Sequence, residues 1–263
     1  MILSNFRFPV LFFLLSIVGV QSQVQFFSSF DAVRIAYTDE GNGKPILLLH
    51  GFMNSGDAWN QTILKKELLH QGYRVIVPDL RGNGQSDAPQ NSDAYSNDAE
   101  IKDIIALANM LQLKKYDAIG YSRGSIILAK LLTEDRRIKK AVIGGMGLDF
   151  TNPNWNRRIM FSEAFAGNST LETEGAVTYA KSIGADLKVL HWLQKYQPVT
   201  SQEELKKIKA KVLVLAGKED VANGNPIDLK NAIPRANVVL VKGDHNGAYK
   251  NTAFSEAVLS FLK

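Results

Sequence analysis

A pentapeptide in the middle of the chain constrains the fold most tightly. Residues 120–124 read G-Y-S-R-G, so that a serine has a glycine two positions away on each side. A strand-like run precedes the pentapeptide at 116–119, and a helix-like run follows it at 125–132. This order is typical of a sharp turn that lifts a serine hydroxyl above the edge of a sheet. The glycines remove Cβ atoms that would clash where strand and helix nearly touch. The motif therefore predicts a strand, a strained turn at Ser122 and a helix.

Short apolar runs alternate with helical patterns along the rest of the chain. Continuous apolar runs of this length are typical of strands buried on both faces of a parallel sheet. The continuous runs lie at 46–50, 73–77, 140–144, 211–216 and 237–241. Helical patterns cover 57–71, 96–113 and 252–262, and two alternating runs at 26–30 and 33–38 predict an antiparallel pair. We therefore predict an α/β fold with a mostly parallel central sheet flanked by helices.

One stretch, residues 147–199, breaks this alternation. It has no obvious buried strand and is rich in aromatic residues, which also fit ordinary packing against a core. We predict that it forms a small helical lid insertion over the strand ends. The core domain then comprises 23–146 and 200–263.

The first 22 residues have a different character from the rest of the chain. One cation, Arg7, precedes an uninterrupted apolar stretch at 10–20, which is too short to span a bilayer. Small residues at Val20 and Ser22 suit a cleavage site before Gln23. We predict a secretory signal peptide over 1–22, with a buried first strand or an uncleaved anchor as alternatives. Because the chain has no cysteine, export to a bacterial periplasm or medium is expected, without stable membrane insertion after cleavage.

The bulk composition argues against several classes of function. The net charge is +5, and the basic residues are spread out rather than gathered on one face with aromatic residues between them. A nucleic-acid-binding protein would concentrate that charge, so no nucleic-acid partner is expected. No group of histidines and carboxylates has the spacing of metal ligands, so neither a metal nor another cofactor is expected. The sequence leaves the oligomeric state open.

Four motifs in a fixed order carry a family resemblance. They are H-G-F at 50–52, D-L-R-G-N-G-Q-S-D at 79–87, the pentapeptide at 120–124, and a late histidine, His245. Over essentially the whole chain after residue 22, the sequence resembles the α/β-hydrolase superfamily, in its lidded lipase, esterase and C–C hydrolase branch. The resemblance implies a nucleophile, an acid and a histidine in that chain order.

The resemblance assigns the catalytic roles residue by residue. Ser122 is the predicted nucleophile, and His245, directly after the last predicted strand, is the predicted base. Asp220, just beyond the strand at 211–216, is the predicted acid that orients the imidazole. Asp149 is the alternative acid, because some relatives place the carboxylate after the preceding strand. Glu219 falls one residue too early for this role.

Backbone groups are predicted to complete the site. The resemblance places the oxyanion hole on the N–H groups of Phe52 and Arg123. His50 is expected to shape the oxyanion loop, Asp244 to hold a turn, and the loop at 79–87 to brace the site. Haloalkane dehalogenases and epoxide hydrolases of this superfamily use an aspartate nucleophile, whereas this chain has Ser122.

We expect from these motifs a serine hydrolase that works through an acyl-enzyme. The leading hypothesis is a carboxylic-ester hydrolase acting on a small or medium apolar acyl substrate. The same triad could instead cleave a lactone, an amide or a C–C bond, or act as a cofactor-free perhydrolase or haloperoxidase. A ligand-binding protein without turnover is the hypothesis from a different class, since a fold never guarantees chemistry.

Overall fold

The computed structural model describes residues 23–263. Eight strands in this part of the chain form one sheet. The predicted signal peptide, residues 1–22, lies outside the described residues. The strands are β1 (Gln25–Ser28), β2 (Arg34–Glu40), β3 (Pro45–Leu49), β4 (Arg74–Pro78), β5 (Tyr116–Tyr121), β6 (Ile138–Gly144), β7 (Lys211–Gly217) and β8 (Ala236–Val241). Each continuous apolar run of the sequence became a strand, and the predicted α/β class is confirmed.

The sheet has the order β1-β2-β4-β3-β5-β6-β7-β8. The pairs β1–β2 and β2–β4 are antiparallel, and the remaining neighbours are parallel. After β3 the chain first adds β4 on one side and then returns to add β5 on the other. Ligands of open α/β sheets bind outside the carboxyl ends of the strands where the order reverses in this way. The topology therefore directs attention to the ends of β3 and β5.

Helices cover both faces of the sheet, as expected for strands that are apolar on both sides. Fully buried residues of β3, such as Leu47 and Leu48, belong to two different hydrophobic clusters, one on each face. Burying one such side chain stabilises the fold by about 1.5–3 kcal/mol. The helices are α1 (Asp57–Asn60), α2 (Ile63–His70), α3 (Ala99–Met110), α4 (Arg123–Glu134), α5 (Asn156–Phe165), α6 (Glu174–Ser182), α7 (Leu187–Lys195), α8 (Gln202–Leu205), α9 (Pro226–Ala232) and α10 (Thr252–Leu262).

Two predicted helices differ from the structure. The helix predicted over 57–71 is divided into α1 and α2, because the Thr62 side chain accepts a hydrogen bond from the backbone N–H of Lys65 and starts a new helix. The helix predicted over 96–113 begins later, at Ala99. Asn97 and Asp98 precede it with positive φ values of 54° and 56°, which no continuous helix can include.

The segment between β6 and β7 contains helices α5, α6 and α7, with no strand among residues 147–199. Side chains of α5, α6 and α7 form a third hydrophobic cluster, which also includes Phe52 and Tyr95. This cluster ties the helices to the loops that follow β3 and β4. The division into a core and a lid stays a prediction.

Among the described helices, the longest reach 12 residues, and no helix is both long and apolar enough to cross a bilayer.

Candidate active site

The turn between β5 and α4 holds Ser122 in a strained conformation. Its φ and ψ are 53° and −122°, a region that side-chain-bearing residues rarely adopt. The flanking glycines are sterically required. A Cβ added at Gly124 would lie 2.2 Å from the Leu49 carbonyl oxygen, and one at Gly120 would lie 2.3 Å from the Gly124 carbonyl oxygen. The close packing of β3, β5 and α4 thus explains the glycine spacing seen in the sequence.

Three residues predicted to act together lie in one hydrogen-bonded line. His245 Nε2 lies 2.9 Å from Ser122 Oγ, and His245 Nδ1 lies 2.7 Å from Asp220 Oδ2. Asp220 is buried, so its charge is shielded from water while the imidazole and the hydroxyl face a cavity. The carboxylate accepts a hydrogen bond from the Nδ1–H group, which leaves Nε2 as an acceptor for the serine hydroxyl. This geometry allows the imidazole to take the Ser122 proton.

The alternative carboxylates make other contacts. Asp149 lies against the backbone at Gly224, where an added Cβ would come within 2.9 Å of its carboxyl carbon. Glu219 accepts a hydrogen bond from the Gly243 N–H at 2.5 Å. Asp244 accepts from the N–H groups of Asn246 and Gly247, as expected of a turn residue. Of these carboxylates, Asp220 is the one that the structure brings to His245.

Two neighbours of this line were missed by sequence reasoning. Asn223 Nδ2 donates to Asp220 Oδ1 at 2.8 Å, and it also lies 3.0 Å from His245 Nδ1. The Tyr121 hydroxyl donates to the His245 backbone carbonyl at 2.6 Å. Burial raises the pKa of Tyr121, so the phenol keeps the proton that it donates. Both groups fix the position of the acid and the base. The sequence signal for Asn223 was its place three residues after the predicted acid.

The loop after β3 lies against the serine. A Cβ added at Gly51 would be 3.4 Å from Ser122 Cβ. The next residue, Phe52, lines the same cavity as Ser122 and Arg123. Within the described part of the chain, neither the Phe52 nor the Arg123 backbone N–H donates to a protein acceptor. These are the amides predicted to stabilise an oxyanion, and the structure leaves both available to a ligand.

A buried histidine connects this loop to the loop after β4. His50 is fully buried, with Nδ1 2.8 Å from the Gly51 carbonyl oxygen and Nε2 accepting the Leu80 N–H at 3.0 Å. Burial lowers the pKa of His50, which keeps the ring neutral with its proton on Nδ1. Asp79 adds a second link by accepting the N–H groups of Gly56 and Gln85, each at 2.7 Å. The motifs at 50–52 and 79–87 therefore support each other.

The side chain of Arg123 has a structural partner. Its guanidinium is buried and forms a two-pronged ion pair with Glu100, with both N–O distances at 2.5 Å. It also donates to the Leu193 carbonyl of α7 at 3.0 Å. This pair joins α3, α4 and α7 behind the serine, and it neutralises the arginine charge.

These groups open into a cavity of about 230 Å³. One side of it is formed by loops that follow strands, and the other by α5 and the region of α7. We call the first side the strand-end wall, comprising Phe52, Ser122, Asn223 and His245. We call the second the helical wall, comprising Trp155, Arg157, Arg158, Phe161, Gln194 and Gln197. The volume suits a small organic molecule. No group of three histidines or carboxylates among the described residues could hold a metal ion.

Comparison with known proteins identifies the family. The sequence model of the alpha/beta hydrolase fold matches residues 44–172. The structure superposes on a bromoperoxidase from Bacillus anthracis with a TM-score of 0.70 at 25% identity, covering 91% of this chain and 99% of that chain. This chain belongs to the α/β-hydrolase superfamily.

Two further similarities show the range of named activities among proteins that this chain resembles. It is 37% identical over 117 residues to a non-heme chloroperoxidase from Streptomyces lividans, covering 43% of this chain and 41% of that relative. An esterase from Exiguobacterium antarcticum has a TM-score of 0.71 at 20% identity, covering 91% of this chain and 99% of that one. The chain thus spans about two fifths of the length of the curated relative that it matches.

Proposed function

We propose that the hydrolase cleaves carboxylic esters through an acyl-enzyme on Ser122. The observation that carries this proposal is the line from Ser122 Oγ to His245 to Asp220, with contacts of 2.9 and 2.7 Å beside the cavity. A serine hydroxyl is a weak nucleophile at neutral pH and needs a base within this distance. The similarity to an esterase fold agrees with this chemistry.

In the first half of the reaction, Ser122 Oγ attacks the ester carbonyl while its proton moves to His245 Nε2. Asp220 holds the imidazole through Nδ1 and stabilises the positive charge that forms on it. The free N–H groups of Phe52 and Arg123 donate hydrogen bonds to the former carbonyl oxygen and stabilise its negative charge. The tetrahedral intermediate then collapses, His245 returns the proton to the alcohol oxygen, and the alcohol leaves.

In the second half, water attacks the acyl carbon of the Ser122 ester. His245 takes a proton from that water and then gives it to Ser122 Oγ, which leaves as the hydroxyl. The products are a carboxylic acid and the regenerated serine. The same residues serve both halves, because each half passes through a tetrahedral oxyanion of the same geometry.

A second candidate function rests on the resemblance to a chloroperoxidase and a bromoperoxidase. Hydrogen peroxide can replace water as the attacking group on the acyl-enzyme, giving a peracid instead of the acid. The peracid then oxidises a halide outside the triad. This activity uses the same Ser122, His245 and Asp220 and needs no further group from the protein.

The experiment that tests the proposal compares p-nitrophenyl ester turnover by the wild type and Ser122→Ala. We expect loss of roughly 10⁶-fold in kcat for the variant, since removing the nucleophile of such a triad removes the catalysis that the triad supplies. Equal rates would contradict the proposal. Adding hydrogen peroxide and bromide to the same assay, with acetate as the acyl source, measures the second candidate function.

We also propose that the hydrolase is exported, with residues 1–22 removed. The apolar stretch at 10–20 and the small residues before Gln23 motivate this proposal. Terminal sequencing of the protein recovered from a periplasmic or culture fraction tests it, with a start near Gln23 as the expected result. A full-length chain retained in the cytoplasm would contradict it.

A further inference from the structure

The charges that line the cavity are of one sign. Three arginines, Arg123, Arg157 and Arg158, are among the lining residues, and no described aspartate or glutamate lines it. The Arg123 charge is balanced by Glu100. The two arginines of α5 remain, and both belong to the helical wall. An apolar acyl group alone would not account for a guanidinium without a partner in this wall, because partly burying such a group is costly.

Arg157 is a cation without a bound carboxylate. Burial is the main influence on its pKa and lowers it, while Asp220 and Glu172 act on it through space without a hydrogen bond. Its guanidinium carbon lies 4.9 Å from the centre of the Phe161 ring. Stacking of this kind occupies one face of the guanidinium and leaves the N–H groups at its edge free. Those N–H groups match the two oxygens of a carboxylate.

Arg158, unlike Arg157, has hydrogen-bond partners within the protein. It donates to the carbonyl oxygens of Gln194 and Lys195, at 2.9 and 2.5 Å, and so caps the C-terminal end of α7. These bonds use Nε and Nη2, and the positive charge of the guanidinium stays at the cavity. The role of Arg158 is therefore structural, with an added positive potential.

An independent observation concerns Gln197. Its side chain lines the cavity and is only 4% exposed, yet its amide Nε2 has no hydrogen-bond partner. A buried donor of this kind without a partner costs about 1–3 kcal/mol. A ligand oxygen in the cavity would satisfy it. The unpaired groups of the helical wall, the Arg157 guanidinium and the Gln197 amide, are thus both donors.

We propose that the helical wall binds a carboxylate group of the substrate, so that the hydrolase acts on small esters that carry a second, ionised carboxyl. Arg157 is the carboxylate-binding residue, and Gln197 supplies a further hydrogen bond. This inference rests on the proposed ester hydrolysis and narrows its substrate class. The reacting carbonyl lies at Ser122 and the carboxylate at Arg157, within one cavity of about 230 Å³.

The test compares two chromogenic esters with five-carbon acyl groups, p-nitrophenyl hydrogen glutarate and p-nitrophenyl pentanoate. For the wild type we expect kcat/KM to be at least about 10-fold higher for the anionic ester, as hydrogen bonds to a charged group allow. In Arg157→Gln this ratio falls to about one, and Arg157→Lys retains part of it. The matched control Arg136→Gln, which removes one positive charge from an exposed site, keeps the wild-type ratio. A second pair, 4-acetoxybutanoate and butyl acetate, shows whether the carboxylate belongs to the alcohol portion.

Failure of this inference differs from failure of the proposed function. If the wild type hydrolyses the neutral esters as well as the anionic ones in both pairs, the carboxylate site is wrong and the ester hydrolase stands. If no ester is turned over, binding of glutarate and of dimethyl glutarate to Ser122→Ala is measured by calorimetry. The carboxylate site is supported without turnover if Ser122→Ala binds glutarate but not dimethyl glutarate, and if this binding is lost when Arg157→Gln is added. Equal binding of both probes, or binding of neither, overturns the carboxylate site.

Discussion

The strand-end wall and the helical wall use polar side chains in opposite ways. In the strand-end wall, Ser122, His245 and Asn223 are all hydrogen-bonded within the protein. In the helical wall, the Arg157 guanidinium and the Gln197 Nε2 have no polar partner among the described residues. Groups that react must be held in place before the substrate arrives. Groups that recognise a substrate need hydrogen-bonding atoms that are free to pair with it. Under the two proposals, the strand-end wall carries out catalysis and the helical wall selects the substrate.

Replacing Asp220, the proposed acid that contacts His245 of the strand-end wall, has the largest expected effect on activity after the loss of Ser122 itself. Asp220→Asn leaves the shape of the site but no longer holds His245 in the required tautomer, and kcat is expected to fall about 10⁴-fold. Asp149→Asn is the matched control, because Asp149 contacts the backbone at Gly224 rather than His245. Ester turnover by both variants decides the assignment. A large loss in the control and a small one in Asp220→Asn would transfer the role to Asp149.

The structural link between the two walls is the buried pair of Arg123 and Glu100. Glu100→Gln leaves the guanidinium buried without its counter-charge, and the free energy of unfolding is expected to fall by about 3–5 kcal/mol. The exposed pair of Glu203 and Lys206 offers a control, in which Glu203→Gln changes stability by less than about 1 kcal/mol. Urea unfolding measures both. Equal losses in the free energy of unfolding would show that the buried pair of Arg123 and Glu100 stabilises the fold no more than the exposed pair does.

Within the strand-end wall, Asn223 acts as a positioning residue through its bond to Asp220. Losing a hydrogen bond to a charged group raises the barrier, so Asn223→Ala is expected to lower kcat about 10- to 100-fold with little change in KM. Asn225→Ala removes a helix cap two residues away and should lower stability while keeping kcat. Steady-state kinetics and thermal unfolding of the two variants separate the roles. A rise in KM without a fall in kcat would place Asn223 in substrate binding instead.

The smallest expected effect concerns His50 and the pH dependence of stability. Burial lowers the pKa of His50, so below about pH 6.5 the unfolded chain takes up a proton that the folded ring does not. Unfolding then becomes easier as the pH falls, by up to about 1.4 kcal/mol per pH unit. His50→Asn should remove this part of the slope between pH 6.5 and 5, while His70→Asn, at an exposed site, keeps it. An unchanged slope in His50→Asn would mean that the folded ring takes up the proton too.

The two walls also differ in how well the sequence predicted them. The sheet and its parallel core follow from local patterns, because the apolar runs of the strands are visible in the sequence. The grouping of Ser122, His245 and Asp220 was implied by the family resemblance, and each of the three residues lies shortly after one of those strands. The helical wall depends on how α5 and α7 pack across the strand ends, which no short motif encodes. Arg157 and Arg158 were therefore not recognised as cavity residues. The break at Thr62 was also missed, since a lone capping threonine within a helical pattern is a weak signal.

The central claim is that Ser122 is an activated nucleophile, and labelling with a fluorophosphonate tests it most directly. Intact-mass measurement of the wild type should show one adduct, which peptide mapping locates on Ser122. Ser122→Ala should show none, and Asp220→Asn should react far more slowly than the wild type. An equal adduct on Ser122→Ala, or no adduct on a folded wild type, would contradict the account.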